Sequence, residues 1–356
     1  MSEEVKIIDP CADPRWDRFV QNHPRGWIVH LSGWKTAIEN AFPHMKGHFL
    51  ALIDSETGVI NAGMPVYEIR SWLTGNRLVS IPFASICDPL ILNRQQSDAL
   101  TASAFSLLEN LGFSYMEVRT LQTNPLINNH LKDTSEYKHH YLDLSGGPED
   151  IWKNISYKSI RYLINKAAKN KLQLKYASNE EDIRSFYTLY AATRKRLGLP
   201  AQPYLFFKTL YDLFSPTGNV IILLALSGQN VVAGHLLFKF NDRVSAEASG
   251  EDARYRHLNT NQFLYWEGIK SACAEGYKIY DFGRTSAYNT TLTDFKRRWG
   301  TRQTDIHTFF YDKNTKAPAS TNRENSTPYK VIRYICQNSP DAIQTVLSRF
   351  CYRHLG

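Results

Sequence analysis

The residues of this chain whose types and spacing suit chemistry lie in one stretch. Tyr280-Asp281-Phe282-Gly283-Arg284 is followed by a polar turn containing Tyr288 and then by Phe295-Lys296-Arg297-Arg298-Trp299-Gly300. A carboxylate and several cations thus stand among aromatic rings at the mouth of a strand, a setting suited to holding an anion. The same cations could instead be a basic hairpin edge that guards a sheet against stray pairing. Asp281-Phe282-Gly283 also spells the magnesium motif of protein kinases. The chain has neither the His-Arg-Asp loop nor the glycine-rich loop that a kinase needs, so the three letters are read as coincidence.

Metal chemistry is not expected. Cys11, Cys87, Cys273, Cys336 and Cys351 are scattered without a C-x-x-C pair, and adjacent His139-His140 is assigned to a surface loop. An odd set of unpaired cysteines suits a reducing cytoplasm. The polar, acidic start Met1-Ser2-Glu3-Glu4 is unlike a signal peptide, and no apolar run reaches the ~18 residues of a membrane helix. Val220–Leu226 is read as a buried strand.

The elements that must position these residues show a repeat. Ile60-Asn61-Ala62-Gly63-Met64-Pro65 matches Val231-Val232-Ala233-Gly234-His235-Leu236, and each follows a turn and an apolar strand, which is a hairpin pattern. Farther on, helices over Leu100–Leu111 and Gln262–Ala274 each stop at a glycine, Gly112 or Gly276. Each is followed by an alternating strand with an Arg-Thr exit, Arg119-Thr120 or Arg284-Thr285. The blocks recur 165 to 171 residues apart, which predicts a duplicated α/β unit. The boundary is placed at the turn cluster Leu144-Ser145-Gly146-Gly147-Pro148, giving units over 1–145 and 146–312. Spacing predicts one long helix over Glu149–Lys171, with Arg161 among the cations off its apolar stripe, and a second over Glu181–Leu197 that stops at Gly198.

Residues 313–356 form a basic linker and helical tail. Net charge is +8 for the whole chain, and this tail carries seven Lys or Arg against two acids, or +5. Such an excess attracts nucleic acid, an anionic membrane or a phosphorylated substrate. Asp312–Thr327 reads as the linker. Ile343, Val346, Leu347, Phe350 and Leu355 then lie at helical spacing beside Arg349 and Arg353, which suits packing on the protein's own core or peripheral anchoring at the inner face of a membrane.

The sequence resembles the FemABX family, within the GNAT acyltransferase superfamily. The carrying residues are Asp281-Phe282-Gly283-Arg284 with Phe295-Lys296-x-x-Trp299-Gly300, Val232-Ala233-Gly234, and Arg256 with Asn261, Leu264 and Trp266. Trp152 through Lys169, Ser32-x-Trp34, Pro82-Phe83 and Asp88-Pro89 add to it, so the likeness runs over roughly residues 15–312. It is closest to the compact FemAB-like branch that accompanies exopolysaccharide systems. The resemblance implies two tandem GNAT-like domains with mixed central sheets. It implies transfer of an acyl or aminoacyl group onto an amine of a cell-envelope or exopolysaccharide precursor, small-molecule or lipid-linked.

In that frame Lys296 is the cation near the reacting carbonyl, Asp281 orients a cation, and Glu247 or Asp88 is a candidate base for the amine. Arg256 is associated with acceptor phosphates and Arg284 is a phosphate or carboxylate fork. Asn261, Tyr288, Trp34, Asp88 and Arg161 join them as substrate-binding residues. No separate cofactor is implied; the donor is aminoacyl-tRNA or an acyl-CoA. Two departures bear on the donor. The chain lacks the helical hairpin arm of the long peptidoglycan-bridge enzymes. Where CoA-dependent relatives carry a glycine loop for the pyrophosphate, this chain reads Arg254-Tyr255-Arg256-His257-Leu258-Asn259-Thr260-Asn261, whose bulk would obstruct that cradle. A CoA-dependent N-acyltransferase and a non-catalytic GNAT pair that grips a polymer are the alternatives. A monomer is expected, because the duplication supplies an internal pseudo-dimer.

Overall fold

The computed structural model of the protein describes residues 3–121, 131–313 and 327–354, with backbone only over 327–332 and 341–345. Two compact units emerge. Unit 1 gathers the described residues of Met1–Tyr137, Asp305–Arg323 and Phe350–Gly356; unit 2 gathers those of Lys138–Thr304 and Glu324–Arg349. The predicted linker falls almost wholly on 314–326, outside the described residues, as does Leu355.

In unit 1, β1 (Glu3–Ile8) is followed by α1 (Pro14–Asn22), α2 (Ser32–Ala41), β2 (Met45–Asp54), β3 (Ile60–Ile69), β4 (Arg77–Val79), α3 (Arg94–Asn110) and β5 (Tyr115–Thr120). The strands β1 to β4 pair antiparallel in order, and β4 then pairs parallel with β5. The chain passes into unit 2 within β6 (Lys132–Asp143). There α4 (Gly147–Asn154), α5 (Tyr162–Lys169), β7 (Gln173–Tyr176), α6 (Glu180–Leu197), α7 (Tyr204–Phe214), β8 (Val220–Ser227), β9 (Asn230–Phe240), β10 (Arg243–Glu251), α8 (Thr260–Ala274), β11 (Ile279–Ser286) and α9 (Thr290–Arg297) follow. The strands β7 to β10 pair antiparallel in order, and β10 pairs parallel with β11, which repeats the scheme of unit 1. On its other side β11 neighbours β6. The chain returns to unit 1 within β12 (Arg302–Asp312), which pairs antiparallel with β5, and ends in α10 (Thr327–Asn338) and α11 (Asp341–His354).

Each unit has its own apolar core. Leu50, Met64, Leu78, Leu100, Leu107, Met116 and Phe309 meet in unit 1, while Ile151, Ile164, Leu223, Val232, Leu264, Ile269, Phe282 and Trp299 meet in unit 2. The paired helix stops are formed as the glycines require, with φ of 67° at Gly112 and 83° at Gly276. A Cβ on Gly250 would lie 2.3 Å from the Tyr190 nitrogen, so glycine here lets α6 lie directly on β10.

Two expectations are corrected. The single helix over Glu149–Lys171 is broken into α4, a π-helical turn over Tyr157–Arg161, and α5. The break comes at Ile155, which is extended, and Ser156, whose N–H donates to the Arg298 carbonyl at 2.8 Å instead of to the preceding turn. His139 and His140 are not on a surface loop: both lie on β6, exposed by only 2% and 1%.

Candidate active site

The site is built where β10 and β11 part. The two parallel strands are in register only over Arg243–Ser245 and Ile279–Asp281, although both continue well beyond. A bulge between Ala246 and Ala248 lifts Glu247 out of the ladder with β9. On the facing strand Gly283 takes a left-handed φ of 72°, and its N–H donates to Asp281 Oδ1 at 2.6 Å. The parting strands therefore present Glu247 on one side and a kinked Asp281-Phe282-Gly283 on the other.

Lys296 reaches this kink from the last turn of α9. It is only 4% exposed, and Nζ donates to the carbonyls of Gly283 at 2.9 Å and Arg284 at 3.0 Å. Burial lowers its ammonium to about 8 against the opposing pull of Asp281 and Glu247, so the group is mostly charged at neutral pH. Its neighbours supply the wall the sequence suggested: Trp299 is fully buried, and Tyr265 stacks on Phe282 at 4.9 Å and meets Trp299 at 5.5 Å. The cations Lys296 and Arg297 belong to a helix and not to a hairpin edge, so an edge-guarding role is set aside.

Asp281 is the buried anion of the cluster. Burial alone would raise its carboxyl, but His139, Arg243 and the Gly283 N–H outweigh burial and hold it below the ordinary value. His139 Nε2 lies 2.7 Å from Asp281 Oδ2, close enough for an ion pair though without hydrogen-bond alignment, and Arg243 Nη1 lies 3.9 Å away. His140 is pushed down to about 4 by burial and by Lys296 and His139, so it is neutral at physiological pH. Glu247 is raised to about 7, first by burial, against a hydrogen bond from Ser245, with Asp281 adding to the rise. Solvent reaches the Glu247 side chain, so water screens part of this effect.

A second group sits at the far end of β10. Glu251 accepts from Arg256 Nε at 2.6 Å, Arg196 Nη2 at 3.4 Å and Asn261 Nδ2 at 3.1 Å. Asn261 in turn meets buried His235 at 3.0 Å, a ring that burial lowers to about 4. The segment Ala253–Leu258 before α8 is a 3-10 helix, and Asn259 takes the left-handed φ of 61° that a glycine would otherwise serve. Arg254, Arg256 and His257 are all exposed.

The remaining predicted residues fall as follows. Arg284 is exposed at the end of β11, and Tyr288 is 63% exposed in the turn beyond it. Arg161 lies over the Tyr157 ring at 5.2 Å in the π-helical turn. Trp34 is buried in unit 1, 2% exposed within α2. Asp88 is buried in unit 1, where its Oδ1 accepts from the Thr120 hydroxyl and the Leu121 N–H at the end of β5. Sequence reasoning missed His139, His140 and Arg243. Lys138-His139-His140-Tyr141 has no telling period, and only the placement of β6 beside β11 brings the imidazoles to Asp281. Among the described residues no group of three metal-ligating side chains assembles.

Residues 156–297 match the family model described as an acetyltransferase (GNAT) domain, a span that contains Arg243, Glu247, Asp281 and Lys296 but not His139 or His140. A comparison with curated proteins gave no match. Among solved structures, the chain is similar to FemX, with a TM-score of 0.70 at 14% identity, over 87% of this chain and 97% of that one. It is similar to L-PGS from Bacillus licheniformis, with a TM-score of 0.57 at 12% identity, over 91% and 96%. A tandem GNAT protein from the clavulanic acid biosynthesis pathway gives 0.52 at 11% identity, over 89% and 100%. The protein thus has a GNAT-like α/β fold with mixed sheets, and its second half matches a GNAT acetyltransferase domain.

Proposed function

We propose that the protein is a transferase that moves an acyl or aminoacyl group from an ester or thioester donor onto an amine of a cell-envelope or exopolysaccharide precursor. The observation that carries this reading is the parting of β10 and β11 after Ser245 and Asp281, with Glu247 on one lip and Lys296 anchored behind the other. A carbonyl in that gap would meet a cation, and an incoming amine would meet a carboxylate poised to take its proton. Glu247, raised to about 7, accepts a proton from the attacking nitrogen as the C–N bond forms. Lys296, still charged below about 8, steadies the tetrahedral oxyanion. The oxyanion then collapses, the C–O or C–S bond to the donor breaks, and the departing oxygen or sulfur leaves as the hydroxyl or thiol with the proton that Glu247 had taken. Asp281 acts through others: it holds the kink whose carbonyls fix Lys296, and His139 and Arg243 hold Asp281.

Arg284, Tyr288, Asn261, Arg256 and Arg161 are the substrate-binding residues of this reading. Glu251 keeps Arg256 in place until a phosphate displaces it. The resemblance to FemABX proteins and the fold shared with FemX and L-PGS support aminoacyl-tRNA as donor. The match to an acetyltransferase domain and the left-handed turn at Asn259 support an acyl-CoA instead. A thermal-shift panel decides between them, because a ligand that binds the native state raises Tm by mass action. Acetyl-CoA, longer acyl-CoAs, aminoacyl-tRNA and nucleotide-linked amino sugars are the probes. A shift with an amino sugar or the charged tRNA supports the aminoacyl reading. A shift with CoA thioesters alone turns the assignment to a CoA-dependent N-acyltransferase. No shift with any of them rejects both.

A further inference from the structure

Unit 1 carries an exposed aromatic patch that the transfer site does not use. Trp72 is 75% exposed, Leu73 56% and Phe350 48%. The Trp72 ring lies 6.4 Å from Phe350 and 5.1 Å from His354. The patch is assembled and held. Ser71 Oγ accepts the N–H groups of Leu73 and Thr74 and meets His354 Nδ1 at 2.8 Å. Thr74 Oγ1 and Arg77 Nη2 donate to the His354 carbonyl at 2.8 and 3.2 Å. Tyr352 is buried against Phe42 and Phe83.

The end of α11 is therefore fastened by Cys351, Tyr352 and His354, and its opposite stripe faces solvent. Within unit 1 that stripe is Phe350 and Arg353, both exposed and spaced as one helix face. The charge is of one sign. Residues 70–77 and 350–354 contain Arg70, Arg77 and Arg353 and no acidic residue, and Arg70 is paired with the buried Glu68 just before them.

We propose that this patch docks on an anionic lipid bilayer, with Trp72, Leu73 and Phe350 entering the headgroup boundary and Arg353 meeting lipid phosphates. An indole with its apolar body inward and N–H outward suits that boundary, and neither apolar area nor basic charge anchors firmly without the other. Charge complementarity selects this occupant over a second copy of the chain, because a self-complementary contact would bring the arginines of the two copies together. The patch also differs from an anchor made by the tail alone: Trp72 and Leu73 come from the loop after β3.

The test is sedimentation of the full-length protein with vesicles of phosphatidylcholine, with and without phosphatidylglycerol, over a range of salt. Binding is expected only with phosphatidylglycerol and is expected to weaken with salt. Trp72→Ser and Phe350→Ser are each expected to weaken it about tenfold, from lost apolar burial. Arg353→Gln is expected to weaken it about fivefold. These side chains are exposed, so an unchanged melting curve will show that the variants fold. Absence of binding at low salt overturns the proposal, as does binding indifferent to the Trp72 and Phe350 changes. A concentration-dependent dimer that Trp72→Ser abolishes overturns it in favour of self-association.

Discussion

Replacing Lys296 by Met tests whether burial lowers the pKa of this ammonium as described above. Burial brings its pKa from 10.5 to about 8, a fall of about 2.5, and at about 1.4 kcal/mol for each unit the charged form costs the folded state roughly 3 kcal/mol. The folded pKa lies below the unfolded one. The cost is therefore complete below about pH 8 and is relieved as pH rises from 8 towards 10.5, where the unfolded chain still holds the proton and the folded chain has lost it. Wild type should gain about 3 kcal/mol relative to Lys296→Met between pH 7 and pH 10.5. The absolute difference at any one pH is not diagnostic, because the variant also strands the Gly283 and Arg284 carbonyls at about 1–3 kcal/mol each while shedding a buried charge. Urea unfolding at stepped pH gives both curves, and groups that titrate in both proteins cancel in the difference. Parallel curves across that window would refute the reasoning, since Lys296 would then titrate as an ordinary surface lysine.

Further outcomes follow from the same geometry. Glu247→Gln should lower the transfer rate about 10²- to 10⁴-fold and remove the rise in rate as pH passes through about 7, read from a pH–rate profile. Asp281→Asn removes the anion that supports the Lys296 charge, so the alkaline limb of that profile should move to lower pH; an unmoved limb would separate Asp281 from Lys296. Gly283→Ala forces a side chain into a left-handed φ of 72° and should cost about 1–2 kcal/mol in denaturant unfolding, with activity falling further because the acceptors of Lys296 shift.

The parts of the fold that were legible in the sequence are those with local causes. The hairpins announce themselves through apolar runs and turns, and Gly112 and Gly276 mark helix ends because only glycine enters their conformation cheaply. The π-helical break at Tyr157–Arg161 was not legible, because its cause is one long-range hydrogen bond from Ser156 to Arg298. The site was half legible. Asp281, Arg284 and Lys296 are close in sequence and carry a motif. His139 is 142 positions from Asp281 in the numbering and meets it only through strand order. Glu247 was visible as a carboxylate, but its poise comes from the bulge and the surrounding protein. Trp34 and Asp88 carried the right letters, and packing put both to structural use.

The central claim is that the gap between β10 and β11 transfers an acyl group to an amine. Its most direct test is mass spectrometry of an amino-sugar acceptor incubated with the protein and an isotope-labelled donor, acyl-CoA in one arm and aminoacyl-tRNA in the other. The account predicts that the amine gains the labelled acyl or aminoacyl mass with one donor, and that Glu247→Gln and Lys296→Met each abolish most of the gain. Ligands that stabilise the fold while no labelled mass reaches any amine would contradict it and leave a protein that binds without chemistry.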